Sequence, residues 1–340
     1  MSTIRQLAKL SGYSIGTVSL ALRDDPRLRQ ATKDAIRALA DLYHYRPNRL
    51  MEGAITGKTN TLGCIVPWVS SPYFSYVLQG VLEKSFEETY HVITLQTHHN
   101  ISHTIKGLQT LVEQRVDGIL LASGHTESIP TESLLELKSH GVALVGMDFN
   151  DTEIPIDEVL TDEPQLAEQV IAYLVGLGHR QIGVFGHHIS PQHAHGRLHA
   201  FEKALRAHGL DTQYCVRLVK ELDVYDDIWL PRAGRTARPT AIVTMTDELA
   251  AQLIQRATRH AIRIPHDLSV VGCGNFSFGR TSLPSLTTVE QYPVEIGRQG
   301  IGLLLECIRA EAEGTTFPPR SLMVKPSLII RESCCPPRKR

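Results

Sequence analysis

Apolar positions along this chain follow two rhythms, and the change comes near residue 60. Before it they recur at three- and four-residue steps: Ile4, Leu7 and Ala8 form one helical stripe, and Ile36, Leu39, Ala40 and Tyr43 form another. Thr3 with Gln6 three positions on is a capping box that opens the first helix, and Gly12 breaks it. Ser14 caps a second helix running from Ile15 to about Leu22, and Asp24-Asp25-Pro26 marks a turn before the third. Arg46-Pro47-Asn48 closes this segment, since the residue before proline avoids helix, and residues 48–58 read as one more short helix stopped at Gly57. Two short helices joined by a tight glycine-containing turn form a helix-turn-helix, whose second helix fits a DNA major groove.

From Thr61 onward, short apolar runs alternate with amphipathic stretches. Strands are predicted at Leu62–Val66, Val92–Leu95, Gly118–Ala122, Ala143–Met147, Gln181–Phe185, Thr240–Thr244 and Leu268–Gly272. Helices lie between most of them, including Phe74–Glu88, Glu163–Leu177, His195–His208 and Asp247–His260. This alternation is α/β and predicts doubly wound parallel sheets. Residues 61–332 are too many for a single sheet, so two lobes are expected. Ligands in such folds bind beyond the carboxyl ends of the strands.

At 340 residues the chain exceeds one typical domain, and its 42% apolar share supplies a sizeable core. No apolar run is long enough for a membrane span, and the N-terminus MSTIRQLAKL lacks the apolar core of a secretory signal. A cytoplasmic protein with no membrane partner is the expectation. Charge is uneven: residues 1–58 hold ten Lys and Arg against five acids, a net of +5, and the remainder carries −6. A basic head on an acidic body suits a polyanion binder, although an uneven solvated surface gives the same count.

Cys64, Cys215, Cys273 and Cys307 stand singly in apolar or mixed runs, as reduced buried thiols do, while Cys334 and Cys335 sit in a tail, CCPPRKR, that reads as dangling. His187, His188, His193, His195 and His199 crowd one stretch, with the last two at i, i+4. No zincin glutamate and no cysteine accompanies them, so they read as surface or cleft-rim groups, with pH sensing the alternative. Nucleophile elbows and Walker-type loops are missing from the sequence, so neither catalysis nor a cofactor or bound metal is expected.

The run Thr3–Arg23 (TIRQLAKLSGYSIGTVSLALR), followed by Tyr45-Arg46-Pro47-Asn48, resembles the head of the LacI/GalR family of bacterial regulators. The body agrees in order: Asp117-Gly118-Ile119-Leu120, Leu177–Ile182 (LGHRQI), Gly196-Arg197-Leu198, Asp267–Gly272 (DLSVVG) and Pro284–Thr288 (PSLTT). The resemblance covers residues 2–332, and its motifs are specific as an ordered set. It implies a helix-turn-helix DNA-binding domain at 1–47, a hinge helix and linker at 48–60, and a two-lobed effector-binding domain at 61–332 like a periplasmic sugar-binding protein. Residues 333–340 are left as a disordered basic tail. The implied function is a transcription regulator, a repressor by type, that binds a near-palindromic double-stranded DNA operator as a homodimer. A small-molecule effector, a sugar or related metabolite, modulates that binding.

In such a head the start of the second helix reads bases, and the matching residues are Ile15, Gly16 and Leu20. None offers the bidentate hydrogen bonds that purines accept; Ile15 and Leu20 suit thymine methyls, and Gly16 admits a close backbone. The alternative for Ile15 and Leu20 is packing within the head. Thr17 and Ser19 suit phosphates, as do Arg23 and Arg29, and these set register without reading sequence, while the cap residues Thr3 and Ser14 count with the DNA-binding set. In the hinge, with Asn48 and Arg49 at its start, the resemblance places a wedging leucine where this chain has Ala54. Alanine is small for unstacking a base step, so Met51 and Ile55 supply bulk instead, or the operator is kinked less.

For the effector cleft the resemblance points to Asp148, Arg197 and Asp247, with Thr246 beside it, whose carboxylates and guanidinium suit a hydroxyl-rich ligand, and Tyr73 and Phe74 follow the first body strand, where an aromatic ring stacks on an apolar ring face. The other reading of Asp148 and Arg197 is helix capping or lobe linkage. Where relatives carry an acid, this chain has Gly274, with Asn275 next to it, and Glu163 replaces a common asparagine. These departures tell against a standard monosaccharide and leave open a constitutive regulator without an effector. An exported solute binder would need a signal and no head, and a hydrolase would need paired catalytic groups.

Overall fold

The computed structural model describes residues 3–45, 58–122, 129–148, 155–187, 191–212, 217–219, 239–315 and 317–338, with the side chains of 187, 191–195 and 217–219 outside that description. The chain divides into two units, Met1–Thr59 and Asn60–Arg340.

In the first unit the capping box forms as the sequence requires: Thr3 Oγ1 accepts from Gln6 N at 3.3 Å, and Gln6 Oε1 accepts from Thr3 N at 2.8 Å. It opens α1 (Ile4–Ser11), which Gly12 ends in the left-handed region. Ser14 then caps α2 (Ile15–Leu22) by accepting from Thr17 N at 3.1 Å. The Asp24-Asp25-Pro26 turn is held by ion pairs. Asp25 accepts from the Arg27 guanidinium at 2.8 Å, and Asp24 takes Arg37 at 2.7 Å and the buried Lys33 at 3.2 Å. α3 (Gln30–Leu42) follows, and Leu7, Ala8, Val18, Ala21, Ile36 and Ala40 form the small shared core.

In the second unit, β1 (Thr61–Val66), α4 (Pro72–Glu87), β2 (His91–Gln96), α5 (Ile101–Glu113), β3 (Gly118–Ala122), α6 (Thr131–Ser139), β4 (Ala143–Met147) and β5 (Asp157–Thr161) wind one lobe. The chain crosses into the second lobe with α7 (Glu163–Gly176), β6 (Ile182–His187), α8 (Pro191–Ala207), β7 (Arg217–Val219), β8 (Ala241–Thr244), α9 (Asp247–Arg259), β9 (Ser269–Cys273), α10 (Ser277–Thr281) and β10 (Thr287–Glu290). It returns to the first lobe for α11 (Pro293–Ala312) and β11 (Ser321–Val324), then crosses again for β12 (Ser327–Ile329). The sheet orders are β11-β5-β4-β3-β1-β2 and β12-β10-β9-β8-β6-β7. Every neighbouring pair is parallel except β10 with β12. The two lobes and doubly wound parallel sheets expected from the sequence are therefore present, with each lobe's core split between the two faces of its sheet.

α11 packs across α4 so tightly that side chains are excluded at the crossing. A methyl at Gly80 would meet the Val294 carbonyl oxygen, and one at Gly297 would meet that of Val77. The expected disordered tail is corrected over residues 333–338. Ser333 is fully buried, its hydroxyl accepting from Thr287 N at 2.8 Å and donating to Val270 O at 2.6 Å. Cys335 N donates to Ser269 Oγ at 3.1 Å, and Arg338 reaches Asp267 at 3.3 Å. Val270, at the start of β9 before its pairing with β10 begins, donates its N–H to Ser333 O and gives this segment somewhere to bond, so the two cysteines do not dangle.

Candidate nucleic-acid interface and effector cleft

α2 buries Val18 and Ala21 and turns its N-terminal end outward. Ser14, Ile15 and Gly16 are exposed, Ile15 by 46%. A side chain at Gly16 would meet only Ser14 Oγ, at 3.7 Å. The head therefore does not need glycine there to fold. Thr17, Ser19 and Leu20 are half-buried along the same helix. The Thr17 hydroxyl lies 2.9 Å from that of Ser14, and Arg23 folds back over Ser19, donating to its hydroxyl at 3.1 Å and its carbonyl at 3.3 Å. Thr3 has its hydroxyl engaged in the first cap. Asn48, Arg49, Met51, Ala54 and Ile55 lie outside the described residues.

In the body, Tyr73 and Phe74 start α4, edge to face with centroids 5.3 Å apart, and both rest on the first lobe's core. The Tyr73 hydroxyl donates to Asp148, which follows β4 in the left-handed region. Asp148 also accepts from Thr161 N at 2.5 Å and from the Thr161 hydroxyl at 3.0 Å. Its carboxylate thus ties α4, β4 and β5 together at the point where the chain leaves the lobe. Burial, then the nearby Asp148 charge, push the Tyr73 phenol well above its ordinary value, so it stays a donor.

Across the crossover, Glu163 is the first residue of α7 and clamps Arg197 of α8 through two parallel bonds: Nε to one carboxylate oxygen at 2.7 Å and an amino nitrogen to the other at 2.6 Å. The remaining amino nitrogen donates to Met245 O at 3.0 Å. Burial works against the Arg197 charge, but the Glu163 carboxylate outweighs it and holds the guanidinium firmly protonated. The sequence singled out both residues without pairing them.

Thr246 caps α9 by accepting from Leu249 N at 3.2 Å. Asp247, the first residue of that helix, is fully buried. It accepts from the Thr288 hydroxyl at 2.5 Å and from Phe276 N at 2.9 Å, and burial pushes its carboxyl up to about 6. Asn275 donates to Glu290 at 2.8 Å and accepts from Arg331. Gly274 has φ 131°, and a side chain there would run into the Phe276 ring. That ring lies parallel to Tyr76 of the other lobe, with centroids 5.9 Å apart and planes at 3°. Tyr76, Phe276, Tyr292 and Glu290 help to line a cavity of about 350 Å³.

The structure thus gathers the anticipated cleft residues into three groups, each closed by a partner within its own lobe: Tyr73–Asp148, Arg197 with Glu163, and Asp247 beside Asn275 and Phe276. Thr161, Thr288, Phe276, Tyr76 and Arg331 escaped the sequence reading. Only Thr288 carried a signal, inside the PSLTT run. Of the histidine cluster, His199 is exposed, and 187, 188, 193 and 195 have no described side chain. Among the described residues there is no group of three or more metal-ligating side chains, and no helix long and apolar enough to cross a membrane.

Compared with known proteins, residues 3–48 match the family "Bacterial regulatory proteins, lacI family", and residues 171–334 match the "Periplasmic binding protein-like domain". The chain is 27% identical over 346 residues to the HTH-type transcriptional repressor PurR of Glaesserella parasuis, with 98% of each covered. It is 25% identical over 335 residues to the ribose operon repressor of Haemophilus influenzae, again with 98% of each covered. In fold it is similar to the lac repressor dimer bound to operator and the anti-inducer ONPF (TM-score 0.82, 19% identity, 98% of this chain and 99% of that one). It is also similar to a LacI family regulator from Enterococcus faecium with bound ribose (TM-score 0.69, 23% identity, 81% and 99%).

Proposed function

The chain belongs to the LacI family of DNA-binding transcriptional repressors, and from that premise we propose that in the cytoplasm it binds a near-palindromic operator as a homodimer whose affinity a small-molecule effector adjusts. The observation that carries this is α2: a capped helix whose first residues, Ile15 and Gly16, are exposed although neither is polar. Ile15 and Leu20 touch thymine methyls in a major groove, and Gly16 lets the helix backbone come close to base edges. Thr17, Ser19 and Arg23 hold phosphates, with Arg23 already positioned over the Ser19 hydroxyl. Asn48, Arg49, Met51, Ala54 and Ile55 extend the contact into the minor groove, with Ala54 too small to be the wedge.

The homodimer reading is supported by the likeness to a repressor described as a dimer on its operator. Support for a sugar or related metabolite as effector comes from the ribose-bound neighbour and from the cleft groups around Tyr73, Asp148, Arg197 and Asp247. Asn275 is already bonded to Glu290 and Arg331. Selection from random duplex DNA with purified full-length protein tests the reading. It should enrich a two-fold-related motif, and no enrichment over bulk competitor, with candidate sugars present or absent, would overturn it.

A further inference from the structure

The pair Glu163–Arg197 is the feature of the cleft that the proposed function leaves unexplained. Arg197 and Glu163 keep only 13% and 21% of their side chains exposed. Three of the five guanidinium N–H groups are spent: two on the Glu163 carboxylate and one on Met245 O. The fork geometry is the one in which a guanidinium receives a carboxylate or phosphate from a ligand, with both parallel donors on one edge. In this chain an internal carboxylate fills that edge.

We propose that Glu163 is a specificity-determining residue that acts as a built-in anion on Arg197 and closes the cleft to carboxylate- and phosphate-bearing effectors, leaving it for an uncharged one. The proposal rests on the effector reading above and refines it. An incoming anion would have to displace Glu163, strip it of both bonds, and leave a second carboxylate buried beside itself and Asp148, whose charge also reaches Arg197. Desolvated like charges at that separation outweigh what the new bond returns. An uncharged ligand meets no such barrier. Elsewhere between the lobes the Tyr76 and Phe276 rings lie parallel beside a cavity that Glu163 and Arg197 do not line, and the Phe276 ring covers the backbone of Gly274 where a charged side chain has no room.

The test is thermal unfolding of the full-length protein titrated with glucose 6-phosphate and gluconate as anionic probes, and with glucose and ribose as uncharged ones. Wild type should show no concentration-dependent rise in Tm with either anion. Glu163→Gln keeps the shape but removes the charge, and should bind at least one anion about tenfold or more tighter than wild type. Adding Arg197→Met should abolish that gain, which assigns it to the freed guanidinium. Glu163→Asp keeps the charge on an arm one methylene shorter, which draws the carboxylate back from the guanidinium, and should give a smaller gain; it serves if the neutral variant does not fold. Wild type binding the anions as tightly as the variants, or no gain in any folded variant, overturns the proposal. Selection on random duplexes reads the family function separately, so failure of one leaves the other standing.

Discussion

At the scale of single residues, two side-chain choices work against local stability and therefore point elsewhere. Gly16 sits in the first turn of α2, where nothing within 4 Å except Ser14 Oγ would meet a methyl. Alanine there should stabilise the head by up to about 1 kcal/mol from helix propensity alone. If the bare backbone is needed against base edges, Gly16→Ala should raise the Tm yet weaken operator binding roughly tenfold or more, read by fluorescence anisotropy. Equal or tighter binding would show that the position is not at the interface. Asp247 is the second case. Burial lifts its carboxyl to about 6 from an ordinary 3.8, so between those pH values the folded chain keeps a proton that the unfolded chain releases. Its contribution is complete below the lower value and is lost as pH rises through the upper one, on the order of 3 kcal/mol in all. Asp247→Asn cannot titrate. Its Tm relative to wild type should therefore climb between about pH 4 and pH 7, as followed by circular dichroism, and a difference that stays flat would contradict the burial argument.

At the scale of elements, legibility followed the strength of the local pattern. Gly118–Ala122 and Ala143–Met147 are found where the apolar runs put them, since each is buried along nearly its whole length. β5 (DEVLT) and β11 (SLMV) escaped because they are short and half-polar, with only Val324 of β11 buried. Their strandedness comes from pairing with each other, Leu322 with Val159 and Met323 with Leu160, which no local window contains. α11 was hidden by its glycines, which lower helix propensity while serving the crossing with α4. The residues expected in the cleft stand in or beside the family motifs, but their bonding partners were not legible, because Arg197 and Glu163 lie on different helices and only the fold brings them together. The tail shows the same limit: its composition reads as disorder, while its bonds to Ser269, Val270, Thr287 and His179 are all long-range. Truncation after Glu332 orphans those buried groups and should lower stability by roughly 2–4 kcal/mol in a denaturant melt. An unchanged midpoint would mean that water replaces the segment at no cost.

At the scale of the whole molecule, the proposed function is an equilibrium between arrangements of the effector body, read out by paired heads on DNA. The charge division, +5 over residues 1–58 and −6 over the rest, suits a proposed head with a salt-dependent attraction to any duplex on a body that adds none. Under the proposed function, sequence choice at the apolar end of α2 would rest on methyl contacts and close approach instead of bidentate hydrogen bonds. The most direct measurement is hydroxyl-radical footprinting of the duplex enriched by selection. Two protected half-sites related by a dyad, centred about one helical turn or a multiple of it apart, are the expected result. A single asymmetric footprint, or protection that ignores the enriched motif, would contradict the account.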